Sequence, residues 1–294
     1  MRNGTAYKTI TPEKVVLETW PARYSATTRP KDIATHIVGV GQTGGAYAAA
    51  LYYRSDVTAS IASEHLTTTD DLEADGIVED SEPFRDARAV IVIAAPDEPR
   101  VLDIAAIVAE NARMTGSCVM AMLPQPPGGP EISARAAARG LVEPAHVVVF
   151  VPETAHPDVL QNLINLHVLT IQGLLPGASE LKTPVGAEFL DVREAFAGAT
   201  GAAMGVGISN SPALIHDATN EAISYLRIDR LFKASGVLIV VAGGESLRVK
   251  DIATAIYTIL NQTSGAARVA LAVHYDDRFG AAVRVSIIAG ERGG

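Results

Sequence analysis

Gly39, Gly41, Gly44 and Gly45 lie in the run Gly39-Val40-Gly41-Gln42-Thr43-Gly44-Gly45, after the apolar stretch Ala34-Thr35-His36-Ile37-Val38 and before an alanine-rich stretch from Ala46 to Tyr53. A strand that runs through a glycine loop into a helix can cradle phosphate. Glycines let the backbone approach the anion, and the free N–H groups at the helix start, with the helix dipole, point at it. Gln42 and Thr43, set between the glycines, belong to the same candidate nucleotide-binding loop. A tight strand-to-helix turn without ligand uses the same residues, so the spacing alone leaves both readings open. It also leaves open a dinucleotide-binding loop for a nicotinamide enzyme, which calls for an acidic residue after the second strand, about 20 residues on. Glu64, following the strand expected at Val57–Ala62, is a candidate for that role.

Other side chains offer little chemistry. The seven histidines show no metal-ligand spacing, so no metal site is expected. His274-Tyr275-Asp276-Asp277 has catalytic residue types, but it falls where a hairpin turn is expected, and a solvated turn explains it better. No nucleophile elbow supports Ser-His-Asp chemistry. The single cysteine, Cys118, excludes an intrachain disulfide framework and sits in the apolar run Cys118-Val119-Met120-Ala121-Met122, as a buried thiol would.

The elements that must position the glycine loop follow from hydrophobic periodicity. Strands are expected at Ala34–Val38, Val57–Ala62, Ala89–Ala94, Ser117–Leu123 and His146–Val151, with helices at Ala46–Tyr53, Pro99–Met114 and Glu131–Arg139. Continuous apolar strands alternating with helices predict a parallel sheet covered on both faces. Residues 157–175 read as a helix apolar on all sides, hence buried. Beyond Pro176 come helices at Glu188–Ala199 and Ser211–Leu226, a strand at Val237–Val241, a helix at Val249–Asn261, and strands at Val269–His274 and Val283–Ile288 expected to pair antiparallel across a polar turn. Residues 1–33, punctuated by Pro12, Pro21 and Pro30 and holding Trp20, read as an extension before the core.

The 294 residues are 48% hydrophobic and 19% charged, the balance of a globular protein large enough for two modest domains. The net charge of −9 argues against a nucleic-acid partner. No apolar run is long enough to span a membrane and no basic-then-apolar leader follows Met1, so a cytoplasmic protein is expected.

The second half carries a family resemblance. Gly186-Ala187-Glu188-Phe189-Leu190-Asp191-Val192-Arg193 resembles the FtsZ synergy loop, NxDFADVR. Gly201-Ala202-Ala203-Met204-Gly205-Val206-Gly207 resembles AMMGIG, and Glu221-Ala222-Ile223-Ser224 resembles EAAIS. Gly236–Gly243 resembles GVLVNITAG, and Val283–Gly290 resembles VRVTVIATG. These stretches recur in order across residues 185–290. In the first half, Gly39–Gly45 resembles GVGGGGG. The chain thus resembles the FtsZ/tubulin family. That resemblance implies an α/β fold: a parallel doubly wound N-terminal domain (34–156), a central helix and linker (157–180) and a smaller α+β C-terminal domain (181–294). It further implies head-to-tail stacking of copies, an open contact that builds filaments. The synergy loop of one copy would complete the GTP site of the next, which makes Glu188 and Asp191 the candidate catalytic pair. Three residues apart, the two acids also suit the start of a helix near Phe189, where they favour its positive end.

The resemblance breaks at the family's signature loop, GGGTGTG, which aligns with Asp97-Glu98-Pro99-Arg100-Val101-Leu102-Asp103. Pro99 has no N–H to offer a phosphate, and Asp97 and Glu98 bring carboxylates to its seat. At about 4 Å and an effective dielectric near 20 each such pair costs roughly 4 kcal/mol, against about 1 kcal/mol from the helix dipole. Asp97 is expected to cap the following helix, with Glu98 in its first turn and Pro99 where no N–H is missed. The family's asparagine that contacts guanine aligns with Ala46, and the stretch Glu64–Phe84 lacks a counterpart of GLGAG. The chain also ends just past the last strand, where FtsZ continues into a linker and an adaptor-binding peptide. The expectation is a filament-forming FtsZ-like protein, assembling with itself or with an FtsZ family member, in which binding of GTP or GDP is weakened or lost.

Overall fold

The computed structural model describes residues 34–52, 58–61, 84–85, 87–96, 100–124, 138–151, 189–210, 214–244, 247–275 and 279–292. The expected extension 1–33 with Trp20, the helix 157–175 and the stretch 62–83 with Glu64 lie outside them.

Among the described residues nine strands form one sheet: β1 (Ala34–Val40), β2 (Thr58–Ile61), β3 (Ala87–Ala94), β4 (Cys118–Pro124), β5 (Val147–Val151), β6 (Gly201–Ser209), β7 (Gly236–Gly243), β8 (Arg268–Tyr275) and β9 (Val283–Glu291). Their order is β2-β1-β3-β4-β5-β6-β9-β7-β8. From β2 to β6 every pairing is parallel. The runs Val90–Ala94 and Val119–Leu123 are buried throughout, as a strand covered on both faces requires. Helices α1 (Gly41–Tyr52), α2 (Val101–Met114) and α3 (Arg139–Val142) lie within this half; α4 (Phe189–Ala195), α5 (Leu214–Leu226), α6 (Ile228–Lys233) and α7 (Val249–Leu260) belong to the other.

The expected antiparallel pairing of the last two strands is corrected. β9 runs antiparallel between β6 and β7, while β8 pairs parallel with β7 at the sheet edge. Period-2 alternation gives a strand its two faces but does not name its neighbour. β9 is buried from Val283 to Gly290, as an interior strand is, whereas β8 starts with exposed Arg268 and Val269 at the sheet edge.

One apolar face spans nearly the whole sheet. It joins Ile37, Ile91, Met120 and Val149 to Met204, Leu238 and Ile288, with α4 placing Val192, Ala195 and Phe196 against it. On the opposite face α2 covers the parallel half with Val101, Ile104, Ala105 and Val108. There α5 and α7 cover the second half through Ile215, Ala218, Ala222, Ile252 and Ile259. Burial of Ile215, Ala218, Thr219, Ala222, Ile223 and Leu226 follows the 3.6-residue period that gives α5 its apolar stripe. Cys118 lies in this core, and burial pushes its thiol up to about 12, so it stays protonated and inert at neutral pH.

Candidate nucleotide-binding site

The glycine loop lies where the sequence places it, but the helix begins earlier than expected. β1 ends at Val40 and α1 starts at Gly41, so Gln42, Thr43, Gly44 and Gly45 already form its first turn. Gly41 takes φ +73°, which a Cβ would strain, and so reverses the chain from strand to helix. A Cβ on Gly39 would stand 2.3 Å from the Gly44 carbonyl oxygen, and one on Gly44 would stand 2.3 Å from the Ile93 carbonyl oxygen. Both glycines are therefore explained by packing: they let the start of α1 sit directly on β1 and β3. Gly45 is buried, Gln42 is exposed and Thr43 is half-buried. No acid occupies the first turn of α1, so the positive end of this twelve-residue helix meets no carboxylate of its own.

The second helix start is corrected. α2 begins at Val101, and its N-cap is Arg100, at φ 66° and ψ 0°, with no side-chain capping bond. The first-turn acid is Asp103, so neither Asp97 as cap nor Glu98 in the first turn is what closes this helix. Asp97, Glu98 and Pro99 themselves lie outside the described residues. Two helix N-termini, those of α1 and α2, thus follow the C-terminal ends of adjacent parallel strands, β1 and β3. That is the topology in which backbone N–H groups can converge on an anion.

Of the synergy-loop acids, Glu188 falls outside the described residues. Asp191 lies in α4, whose later residues Val192 and Ala195 face the core. Arg193, next along, is exposed.

A group of buried polar residues lies in the second half, of which Arg284 and Ser286 went unmarked in the sequence. His274 lies in β8, where the strand expected at Val269–His274 places it, and is buried rather than part of a solvated turn; Tyr275 donates its hydroxyl to the Leu247 carbonyl at 3.3 Å. His274 and Arg284 flank Ala242 on neighbouring strands. Ser286, two residues on, shares their face, and all three are buried. The Arg284 guanidinium lies 5.2 Å from the centre of the Phe279 ring, a cation–π contact. The alternation in Val283-Arg284-Val285-Ser286 was the available signal, since it puts both polar residues on one face. Among the described residues no three His, Cys, Asp or Glu side chains gather as a metal site.

His146 joins β4 to β5 just before their ladder. Its backbone N–H donates to the Val119 carbonyl at 2.9 Å, and the Val119 N–H donates back to His146 Nδ1 at 3.0 Å. Burial, then the charges of Arg193 and Arg113, hold its pKa below the ordinary histidine value. The unfolded chain, with a histidine pKa of about 6.5, binds this proton more readily than the folded one. Stability is therefore expected to be full above that value and to fall as the pH drops through it, by at most about 1.4 kcal/mol per pH unit. His146→Gln should flatten that slope in urea melts between pH 7 and pH 5; an unchanged slope would exclude the assignment.

Residues 200–292 match the FtsZ family, C-terminal domain. The fold as a whole is similar to an empty FtsZ dimer of M. jannaschii, at 17% identity and a TM-score of 0.70, over 96% of this chain and 92% of that one. It is also similar to CetZ from Methanosaeta thermophila, at 15% identity and a TM-score of 0.61, over 88% and 87%. A GTPgS-bound protofilament of CetZ2 from Haloferax volcanii gives 14% identity and a TM-score of 0.59, over 88% and 93%. The chain thus shares the fold of these FtsZ and CetZ structures. Within it, residues 200–292 match the C-terminal domain of the FtsZ family.

Proposed function

We propose that this is a cytoskeletal protein of the FtsZ type. It assembles head to tail with copies of itself, or with another member of the family, and its GTP site is too degraded to time that assembly. The observation that carries the reading is the contrast between the two halves. The second half keeps the family's motifs in order, whereas Asp97-Glu98-Pro99-Arg100-Val101-Leu102-Asp103 stands in place of the signature loop. Two carboxylates and a residue without an N–H make that loop a poor seat for phosphate. The similar structures, one a dimer and one a protofilament, support self-association as the default for this fold. On this reading residues 34–156 form the nucleotide-binding-type domain, 157–180 the central helix and linker, and 181–294 the assembly domain. The setting is cytoplasmic, and no described helix is long and apolar enough to cross a membrane. Sedimentation and negative-stain microscopy with and without GTP test it. Assemblies of equal extent in both conditions are expected, and a strictly monomeric protein in every condition would refute head-to-tail assembly.

A second reading has its own support. The start of α1 keeps its glycines, carries no first-turn acid and lies next to the uncapped start of α2, so a phosphate could still be held there by an unusual polymerising GTPase. Glu188 and Asp191 would then position the attacking water on a neighbour's nucleotide. Phosphate release that is lost in Glu188→Ala or Asp191→Ala would favour this reading over the first.

A further inference from the structure

At the base of the second half of the sheet, where β7 and β8 begin and β9 ends, a cleft of about 460 Å³ opens. Arg230 and Lys233 of α6 and Arg292 after β9 supply its cations, and Asp229 and Glu291 its acids. Both acids are already engaged. Glu291 Oε1 lies 3.8 Å from Arg230 Nε, and Asp229 Oδ1 lies 3.3 Å from Arg227 Nε. Lys233 and Arg292 have no acidic partner among the described residues. The cleft therefore carries surplus positive charge on a chain whose net charge is −9. Beside it α6 exposes Ile228 at 54% and Phe232 at 59%, four residues apart and so on one face of the helix.

The same chain holds a segment of opposite character. Residues 62–83 include eight acidic side chains and no Lys or Arg, with Leu66, Leu72, Ile77 and Val78 interleaved. The segment leaves the sheet after β2, at one edge, and returns at Phe84, while the cleft lies under β7 and β8 at the other edge. Seven strand spacings of about 4.8 Å separate β2 from β7 by about 34 Å. Ile61, from which the segment departs, ends β2, whereas the cleft opens where β7 begins, and β7 runs in the same direction as β2, so the two lie at opposite ends of the sheet, as a contact from one copy to the next requires.

We propose that this cleft takes the acidic segment 62–83 of a second copy of the chain, Lys233 and Arg292 meeting its carboxylates and Ile228 and Phe232 its apolar side chains. The contact deepens the head-to-tail reading, since it names what one copy gives the next. A labelled peptide of residues 62–83, titrated into the full chain by fluorescence anisotropy, tests it. Saturable binding is expected to weaken several-fold between low salt and 0.3 M salt, as exposed charge pairs are screened. It should weaken about tenfold or more in K233E/R292E, both residues lying at the surface. A peptide of the same composition in scrambled order separates the segment from a merely anionic ligand. Equal binding of the scrambled peptide, or undiminished binding to a K233E/R292E protein of unchanged circular dichroism, would overturn the proposal. Assembly that persists in K233E/R292E with no peptide binding by the parent chain would refute the cleft contact and leave head-to-tail assembly standing. Peptide binding by a chain that stays monomeric would support the cleft and refute the assembly.

Discussion

Gly207→Ala is expected to lower the stability of the chain by about 3 kcal/mol, the upper part of the usual range for overpacking a core. A Cβ at this position would stand 2.0 Å from the Ala218 carbonyl oxygen and 2.7 Å from the Ala222 amide nitrogen. Both obstacles are backbone atoms of α5, so no rotamer change relieves them and the helix itself must lift from β6. That displacement would unseat Ile215, Ala218, Ala222 and Leu226 together from the core they share with Val237 and Ile239. Since whole domains are stable by only about 5–15 kcal/mol, the loss is a large share of the total. Gly140→Ala is the matched control: nothing lies within 4 Å of its Cβ position in α3, so the change should be neutral or stabilise by up to about 1 kcal/mol. Urea titrations of the three proteins decide the matter. A Gly207→Ala protein within about 0.5 kcal/mol of its parent, the spread of ordinary surface changes, would mean that α5 does not sit on β6 this closely.

On the proposed reading, removing the acids and the proline at Asp97, Glu98 and Pro99 should raise affinity for nucleotide. The triple change D97G/E98G/P99G is expected to tighten GTP binding at least tenfold, about 1.4 kcal/mol. The Coulomb cost of two carboxylates near a phosphate is several times larger at about 4 Å, but ions screen groups at an open loop, so only part of it is recovered. Two features favour the gain. Arg100 already takes φ 66° at the N-cap of α2 without being glycine, so the turn into that helix exists, and its side chain places no capping bond over the helix end. α1, next to it, carries no first-turn acid to be displaced. Titration of parent and variant with a fluorescent GTP analogue reads the difference. Stoichiometric, tight binding by the parent chain, or no gain in the variant, would contradict the view that these three residues disable the site.

Much of the fold was legible in the sequence because burial dictates it locally. Val119–Leu123 and Val147–Val151 are short, continuous and apolar, and both form interior parallel strands. The periodic apolar residues of α5 and α7 gave those helices nearly to the residue. The ends were less legible. α1 starts at Gly41, inside the glycine run, because contacts with β1 and β3 outweigh the low helix propensity of Gly44 and Gly45. α2 starts at Val101, not at a cap formed by Asp97, and α6 was not foreseen at all, since six residues give too little periodicity to register. The candidate site was legible as a loop and no further, because the partners that would complete it come from elsewhere in the chain.

The sequence by itself determined the kinds of element and their order, for these depend on side-chain type and spacing along a single stretch of chain. Only the tertiary structure decided which strands are neighbours: β9 took the interior place between β6 and β7, and β8 was left at the edge. It also decided why several glycines must be glycines and where the surplus cations gather. Each of these depends on atoms brought together from distant stretches, and local propensity carries no information about a meeting of that kind.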